Sequence, residues 1–300
     1  MAQAIYRGRF APSPSGPLHF GSLISALGSY LDAKAHGGEW WLRIDDLDPP
    51  RLAPGATDAI LRALEAYGLL WDGTVQYQSQ RNQAYAAALE VLQGLGAVYA
   101  CGCTRREIAD SSVSRATAAI YPGTCRTGLA PGKAARAWRI DTRGARVCFE
   151  DRLQGLIAQD LEHEAGDFIV RRADGWFAYQ LAAVVDDAEL GMTDIVRGSD
   201  LIDSTLRQVY LQRLLGLPTP RYLHLPVAVN ALGEKLSKQT LAPPLDMTFA
   251  QSNLLRALAF LQHSPPSALQ HAPVAEMLSW AIAHWTPAKL PQARTIELKP

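Results

Sequence analysis

Pro12-Ser13-Pro14-Ser15-Gly16-Pro17-Leu18-His19-Phe20-Gly21-Ser22 is a turn rich in proline and glycine that leads from a strand-like segment, residues 4–10, into a helix. The start of a helix offers unpaired backbone N–H groups and the positive end of the helix dipole, both of which favour phosphate. His19 can donate to the same phosphate oxygens. The stretch therefore predicts a phosphate site at the start of this helix.

The residues on either side of the turn predict a parallel α/β sheet. Apolar residues recur at helical spacing from about Gly21 to His36, and Gly37-Gly38 end the helix. Trp40-Trp41-Leu42-Arg43-Ile44 then reads as a second strand, which an acidic stretch follows. The order strand, phosphate turn, helix, strand places ligands beyond the carboxyl ends of the strands.

A second string, Lys235-Leu236-Ser237-Lys238, follows the apolar run 224–229 late in the chain. Its two ammonium groups on flexible stems suit the negative charge that builds up during attack at a phosphate. Together the two strings predict a divided ATP site, although neither would be strong evidence alone.

Composition limits the classes of protein that fit. The 300 residues contain 29 basic and 29 acidic side chains, and charges interrupt every long apolar run, so that no span of about 20 apolar residues exists. The start of the chain lacks the profile of an export signal. We therefore expect a cytoplasmic protein with neither a membrane nor DNA as a partner. A nucleic-acid partner would need a local basic face, and the arginines that could form one are equally typical of a solvated surface: Arg105, Arg106, Arg115, Arg126, Arg136, Arg139, Arg143 and Arg146.

Changes in pattern along the chain divide it into four segments. Residues 1–98 hold the first half of the sheet, and residues 99–175, with short segments rich in Cys, Gly and Arg, look like an insertion. Residues 176–245 return to core-like patterns, in which 177–187 fits a strand or a helix and 194–198 a strand. Residues 246–300 form a short helical region with helices near 248–262 and 273–285.

These residues resemble the class I aminoacyl-tRNA synthetases, in which two signature strings flank the ATP site of a divided Rossmann domain. His19-Phe20-Gly21-Ser22 takes the place of the first string and Lys235-Leu236-Ser237-Lys238-Gln239 that of the second. The segments 9–16, 43–48 and 195–201 narrow the resemblance to the glutamyl branch. The likeness covers nearly all of residues 5–245, and it implies a divided Rossmann catalytic domain with a zinc-containing insertion.

The length of the chain bears on the acceptor that the resemblance implies. Residues 239–300 are too few for the long helical region with which glutamyl-tRNA synthetases read the anticodon. A short branch of the family lacks that region and implies another activity, in which glutamate is activated by ATP without tRNA and transferred to the queuosine base in the anticodon of tRNA(Asp). One alternative is a minimal glutamyl-tRNA synthetase that charges the tRNA 3′ end, and another is a zinc-containing, non-catalytic RNA-binding paralogue.

The resemblance also implies the roles of individual residues. His19, Lys235 and Lys238 would be catalytic, and Mg²⁺ would accompany ATP through the phosphates. The implied ATP-binding residues are Pro12, Gly16, His19, Gly21, Ser22 and Lys238. The implied L-glutamate-binding residues are Arg9, Phe10, Ala11, Pro12, Ser13, Asp45, Tyr179 and Arg197. Asp45 departs from the family, which usually has Glu there.

Taken singly, several of these residues have structural interpretations. Arg9 could be a surface charge on an edge strand, and Tyr179 could be a packed aromatic residue. Arg197 could form an ion pair with Asp194 or Asp200, and His19 could merely cap its helix.

Three cysteines, Cys101, Cys103 and Cys125, indicate a metal site, because clustered thiols in a cytosolic protein favour metal or redox chemistry over disulfides. The resemblance implies Tyr121 as the fourth ligand of one structural Zn²⁺. The alternative is three reduced, buried thiols beside a packed tyrosine. Cys148 is expected to be an ordinary core residue.

Overall fold

The computed structural model describes residues 5–104, 106–108, 113–115, 118–236 and 243–298. The strands are β1 (Arg7–Phe10), β2 (Glu39–Ile44), β3 (Gln76–Tyr77), β4 (Val98–Cys101), β5 (Val113–Arg115), β6 (Ala118–Ile120), β7 (Ala137–Ile140), β8 (Arg146–Asp151), β9 (Gly155–Asp160), β10 (Ile169–Arg171), β11 (Asp194–Gly198), β12 (Arg221–Leu225), β13 (Val227–Val229) and β14 (Thr295–Glu297). The helices are α1 (Phe20–Ala35), α2 (Ala56–Ala66), α3 (Asn82–Gly94), α4 (Leu161–Glu164), α5 (Tyr179–Glu189), α6 (Ile202–Leu215), α7 (Ala250–Phe260) and α8 (Val274–His284).

Two sheets with parallel strands lie side by side at the centre of the molecule. The first has the order β1-β2-β3, and the second has the order β11-β12-β8-β9, in which only the pair β8 and β9 is antiparallel. They meet where the Thr193 N–H donates to the Arg7 carbonyl oxygen over 3.0 Å, next to the start of β11. The predicted order of strand, phosphate turn, helix and parallel strand is confirmed for β1, α1 and β2.

Helix α1 packs beneath both sheets because its apolar residues fall on one side of the helix. Leu23, Ile24, Leu27 and Leu31 are all buried, as their spacing predicted. This face shares one core with β1, β2 and the helices α7 and α8. The C-terminal helices therefore hold α1 against the sheets, and they lie within the predicted ranges 248–262 and 273–285.

A smaller antiparallel sheet, in the order β10-β7-β4, stands apart from the parallel strands. It belongs to the segment that the sequence marks as an insertion, and β5 pairs with β6 in the same segment. However, β8 and β9 of that segment extend the second parallel sheet. The division at residues 98, 175 and 245 stays a prediction.

The expectation for Cys148 was wrong, because this residue is exposed. Along β8 buried and exposed residues alternate, and Val147 and Phe149 occupy the buried positions. Since successive side chains of a strand point to opposite faces, Cys148 faces solvent.

Residues 177–187, which fitted a strand or a helix, lie mostly in helix α5. Among the residues that the structure describes, no helix is long and apolar enough to cross a membrane.

Candidate active site

A cavity of about 670 Å³ opens beyond the carboxyl ends of β1 and β11. The turn after β1 and the start of α1 form one wall, and the end of β11 and the start of β13 form another. The predicted site residues that line it are Arg9, Phe10, Ala11, Pro12, Ser13, His19, Gly21, Ser22, Tyr179, Arg197 and Lys235. The structure therefore brings together residues from both ends of the chain at the place where parallel sheets bind ligands.

His19 caps α1 with its side chain. Its Nδ1 accepts a hydrogen bond from the Ser22 N–H over 3.3 Å, and the Ser22 hydroxyl lies 3.5 Å from the His19 N–H. A neutral imidazole that accepts through Nδ1 carries its proton on Nε2. Capping and phosphate binding are therefore compatible, because the cap leaves Nε2 as the donor.

The two signature strings meet at Gly21. A Cβ at this position would lie 3.1 Å from His19 Cε1 and 3.2 Å from the carbonyl oxygen of Leu236. Leu236 is fixed in turn, since its N–H donates to the Ala228 carbonyl over 2.9 Å. Glycine at position 21 thus lets Leu236 of the second signature string come close to the start of α1.

Lys235 lies at the mouth of the cavity beside an acidic residue. Its Nζ is 2.5 Å from Asp200 Oδ2, and both side chains are partly exposed. A partly exposed ion pair of this kind contributes little stability, so the ammonium can exchange its partner at small cost. Ser237 and Lys238 lie outside the described residues.

Arg197 is buried at the end of β11 and has four neutral partners. Its Nη2 donates to Thr205 Oγ1 (2.6 Å) and Gln208 Oε1 (2.7 Å), and its Nη1 and Nε are 3.4 Å from the Tyr179 hydroxyl and His224 Nε2. No carboxylate oxygen of the described residues lies within ion-pair distance of its guanidinium, so the expected alternative of a pair with Asp194 or Asp200 was wrong.

The partners of those two aspartates explain why they do not reach Arg197. Asp194 pairs with Arg152 and Arg221, and Asp200 pairs with Lys235. Four of the five guanidinium hydrogens of Arg197 have acceptors, and the fifth, on Nη1, has none among the residues that the structure describes. The hydrogen bonds of Arg197 thus go to neutral groups, and Asp187 acts on its charge only through space.

Arg9 belongs to a buried network of charges, so the alternative of a surface charge was wrong for it. It is 3% exposed, and its Nε and Nη2 each lie 3.1 Å from an oxygen of Asp187. Arg43 donates to the same carboxylate and to both oxygens of Asp45, at 2.6 and 3.3 Å. Burial raises the pKa of Asp45, although Arg43 opposes this shift.

Gly16 and Asp45 do not line the cavity. Gly16 has a φ of 143°, a value that favours glycine. It therefore determines the backbone path of the turn without contributing to the cavity wall. Asp45 lies directly behind the turn, since its N–H donates to the Pro12 carbonyl over 3.0 Å.

The sequence interpretation missed the groups that hold the two arginines. No sequence motif marked Asp187, Thr205, Gln208, Asp151 or His224. Their only sequence signal is polarity inside otherwise apolar, buried elements.

The three cysteines and Tyr121 converge as predicted. The Sγ atoms of Cys101, Cys103 and Cys125 lie within 4.8 Å of one another, and the Tyr121 hydroxyl is 3.4 Å and 3.5 Å from the first two. A tetrahedral Zn²⁺ with metal–sulfur bonds of about 2.3 Å places its ligand atoms about 3.5 to 3.8 Å apart. The four groups therefore fit a zinc ion.

The pKa values of these groups shift in different directions, and burial raises the pKa of the Cys103 thiol. Burial would raise the pKa of the Cys101 thiol, but hydrogen bonds with Tyr121 and Arg139 lower it to about 7. Burial and the neighbouring thiols raise the pKa of Tyr121. Its phenol therefore loses a proton only to a bound metal.

Several arginines of the middle region pair with carboxylates. Arg126 binds Asp167 over 2.7 Å, and Arg143 binds Asp141 over 2.6 Å. Arg139 is buried, and its guanidinium stacks 4.0 Å above the Tyr121 ring. Arg126 and Arg139 are therefore held within the fold, Arg143 forms an exposed surface pair, and Arg105 lies outside the described residues.

Comparisons with known proteins agree on one family. A family model described as "tRNA synthetases class I (E and Q), catalytic domain" matches residues 6–260. A protein of Aromatoleum aromaticum named glutamyl-Q tRNA(Asp) synthetase is 56% identical over 96% of this chain and 91% of its own length. One of the same name from Dechloromonas aromatica is 55% identical over 98% of both chains.

A solved structure shares the fold. The crystal structure of a glutamate tRNA ligase from Elizabethkingia meningosepticum in complex with its amino acid superimposes with a TM-score of 0.80 at 24% identity. The match covers 96% of this chain and 66% of that one.

Proposed function

The chain belongs to the class I tRNA synthetases for glutamate and glutamine, a family of ATP-dependent ligases, and from this premise we propose that it makes glutamyl-adenylate without tRNA and glutamylates queuosine in tRNA(Asp). The names of its relatives in Aromatoleum aromaticum and Dechloromonas aromatica support this acceptor. L-glutamate, ATP and tRNA(Asp) carrying queuosine are the proposed substrates.

The observation that carries the proposal is that the four hydrogen-bond partners of Arg197 are neutral. A buried guanidinium whose partners are all neutral attracts an anionic ligand, because burying a lone charge is costly. Its remaining Nη1 hydrogen and the Tyr179 hydroxyl can both donate to one carboxylate of glutamate. The cavity of about 670 Å³ also has room for an adenylate beside that carboxylate.

The other predicted residues complete the proposed glutamate site. Arg9 and the turn Phe10–Ser13 line the cavity beside Arg197. Asp45 does not line the cavity, and its proposed role is to support the turn from behind, through its N–H bond to the Pro12 carbonyl and its pair with Arg43.

Activation requires alignment and charge stabilisation rather than a base. The glutamate α-carboxylate oxygen forms a bond to the α-phosphorus of ATP, and the bond to the bridging oxygen breaks, so that pyrophosphate leaves. His19 Nε2–H and the backbone N–H groups at the start of α1 donate to phosphate oxygens. Lys235 and Lys238 neutralise the leaving group, and Mg²⁺ binds through the phosphates.

Transfer uses the adenylate as an acyl donor. A hydroxyl of the queuosine base attacks the glutamyl carbonyl carbon, AMP leaves with the bonding electrons, and the hydroxyl proton is released to solvent. The product is an ester on the modified base. The protein has to hold the adenylate with its carbonyl open to the incoming base.

We also propose one structural Zn²⁺ held by Cys101, Cys103, Tyr121 and Cys125. Their convergence within ligand distances supports this set. When bound, the ion cross-links β4 to the following loops of the insertion, and it takes no part in the chemistry.

Two assays on the purified protein test the function. Glutamate-dependent exchange of pyrophosphate into ATP without tRNA is expected, as is acylation of tRNA(Asp) only when it carries queuosine. Equal acylation of tRNA(Asp) lacking queuosine, or charging of tRNA(Glu), would instead support a minimal glutamyl-tRNA synthetase. A protein that binds tRNA without exchange would be the non-catalytic paralogue.

A further inference from the structure

Two buried groups, Asp151 and His224, lie behind Arg197 and are connected to it by hydrogen bonds. The Oδ2 of Asp151 is 2.6 Å from His224 Nδ1, and His224 Nε2 is 3.4 Å from Arg197 Nε. Both Asp151 and His224 are almost completely buried, on the adjacent strands β8 and β12. Neither residue lines the cavity, whereas Arg197 does.

The hydrogen bonds determine the tautomer of His224. The Nε–H of Arg197 points at His224 Nε2, so this nitrogen must accept and cannot carry a proton. The remaining proton then lies on Nδ1 and is donated to Asp151. Burial lowers the pKa of His224, and Arg197 lowers it further, against the opposing effect of Asp151. The imidazole is thus neutral, with one defined tautomer.

Thr205 is compatible with this tautomer. Its oxygen accepts from Arg197 Nη2 at 2.6 Å, and its hydroxyl hydrogen can be donated to His224 Nε2 at 2.8 Å or to the Leu201 carbonyl at 2.9 Å. Thr205 could also accept from an imidazole with its proton on Nε2, but that proton would leave the Arg197 Nε–H facing a second donor. The guanidinium would then have to rotate away from its present orientation.

We propose that Asp151 and His224 are positioning residues that fix the orientation of Arg197 so that its Nη1 edge faces the carboxylate of the amino-acid substrate. This inference rests on the proposed function, and it deepens the account of the same site. Asp151 selects the Nδ1–H tautomer, the unprotonated Nε2 receives the Arg197 Nε–H, and the guanidinium is left with its opposite edge toward the cavity.

The environment of Asp151 makes one substitution especially informative. Its Oδ1 accepts from the N–H groups of Leu153, Gln154 and His224 at 3.0, 2.9 and 3.2 Å. In Asp151→Asn the amide oxygen must keep this position, so that the NH₂ group replaces Oδ2 and donates to His224 Nδ1. The imidazole is then forced to carry its proton on Nε2, the wrong tautomer for Arg197.

Substitutions of His224 separate its two nitrogens. In His224→Gln the side-chain oxygen can occupy the position of Nε2 and accept from Arg197. In His224→Asn the side chain ends near the position of Nδ1 and leaves the Arg197 Nε–H without an acceptor. His263 is a matched control, because it is also a buried histidine with both nitrogens bonded, but it stacks on Trp285 away from the cavity.

The experiment is steady-state pyrophosphate exchange with each variant, titrating glutamate and ATP separately. Asp151→Asn and His224→Asn are each expected to raise the KM for glutamate about tenfold, the effect of about one hydrogen bond, with the KM for ATP unchanged. The KM for glutamate of His224→Gln is expected to stay within threefold of the wild-type value. Adding Asp151→Asn to His224→Gln should change this KM little. His263→Gln should leave both KM values unchanged.

Lower kcat with an unaltered KM for glutamate in Asp151→Asn and His224→Asn would overturn the proposal. Nitrogen NMR of histidine-labelled wild-type protein provides a test that needs no variant to fold. An unprotonated Nε2 at His224 at pH 7 is expected, and a proton on Nε2 would overturn the proposal. If the wild type shows no glutamate-dependent exchange, the proposed function fails. The NMR measurement of the His224 tautomer still tests the positioning of Arg197 in that case.

Discussion

Substitution of Arg197 by lysine keeps the positive charge of the candidate glutamate site and removes the shape of the guanidinium. The arginine makes four hydrogen bonds to neutral acceptors and keeps one Nη1 hydrogen for a ligand. A lysine ammonium has three hydrogens, which the buried acceptors Thr205, Gln208 and His224 can take up completely. The substrate carboxylate then loses one charge-assisted hydrogen bond.

Such a bond is worth about 1.5 to 3 kcal/mol, which corresponds to an increase of about 10- to 150-fold in the KM for glutamate. The KM for ATP should change little, because Arg197 lies at the glutamate end of the cavity. Pyrophosphate exchange at varied glutamate concentrations measures the effect. The control is Arg152→Lys, which alters a partly buried arginine that pairs with Asp32 outside the cavity.

A KM for glutamate within threefold of the wild type in Arg197→Lys would refute the assignment of Arg197 to the substrate carboxylate. An equal increase in Arg152→Lys would show that the effect arises from general destabilisation. Thermal unfolding of both variants separates these outcomes.

Three further predictions concern other parts of the molecule. His19→Asn keeps an oxygen that can cap α1 but loses the Nε2 donor, so kcat for exchange should fall about 100-fold with unchanged thermal stability; full activity would contradict the phosphate role. Cys125→Ala should lose bound zinc, measured by metal analysis, whereas the exposed Cys148→Ala should keep it; equal zinc in both would contradict the ligand set. Burial lowers the pKa of His263 below its ordinary value, so the free energy of unfolding should fall as the pH drops below about 6.5, by at most about 1.4 kcal/mol per pH unit for this group. Denaturant titrations at pH 7 and 5 should show that the free energy of unfolding of His263→Gln depends less on pH than that of the wild type. An equal pH dependence in the two proteins would refute this prediction.

The local parts of the fold could be predicted from the sequence. Helix α1 and strands β1 and β2 follow from apolar spacing and from the glycines that end the helix. The same holds for the turn between β1 and α1, because its prolines fix φ and its glycine adopts a φ that other residues avoid. Helix α5 was ambiguous because a short apolar run fits a helix and a strand equally.

The partners of the site residues could not be predicted, because they are distant in sequence. Arg9 is buried against Asp187, which is 178 residues away, and no local pattern indicates that β1 and α5 face each other. His224 meets Asp151 only because β12 pairs with β8. The exposure of Cys148 was available from the alternation with Val147 and Phe149, since the period of a strand is two residues.

The most direct test of a glutamate-activating site is a crystal structure of the protein with a non-hydrolysable analogue of glutamyl-adenylate. The phosphate of the analogue is predicted to lie against His19 and the start of α1, with a glutamyl carboxylate at Arg197 Nη1. An analogue bound away from the cavity between Gly21 and Arg197, or with its glutamyl group directed away from Arg197, would contradict the account.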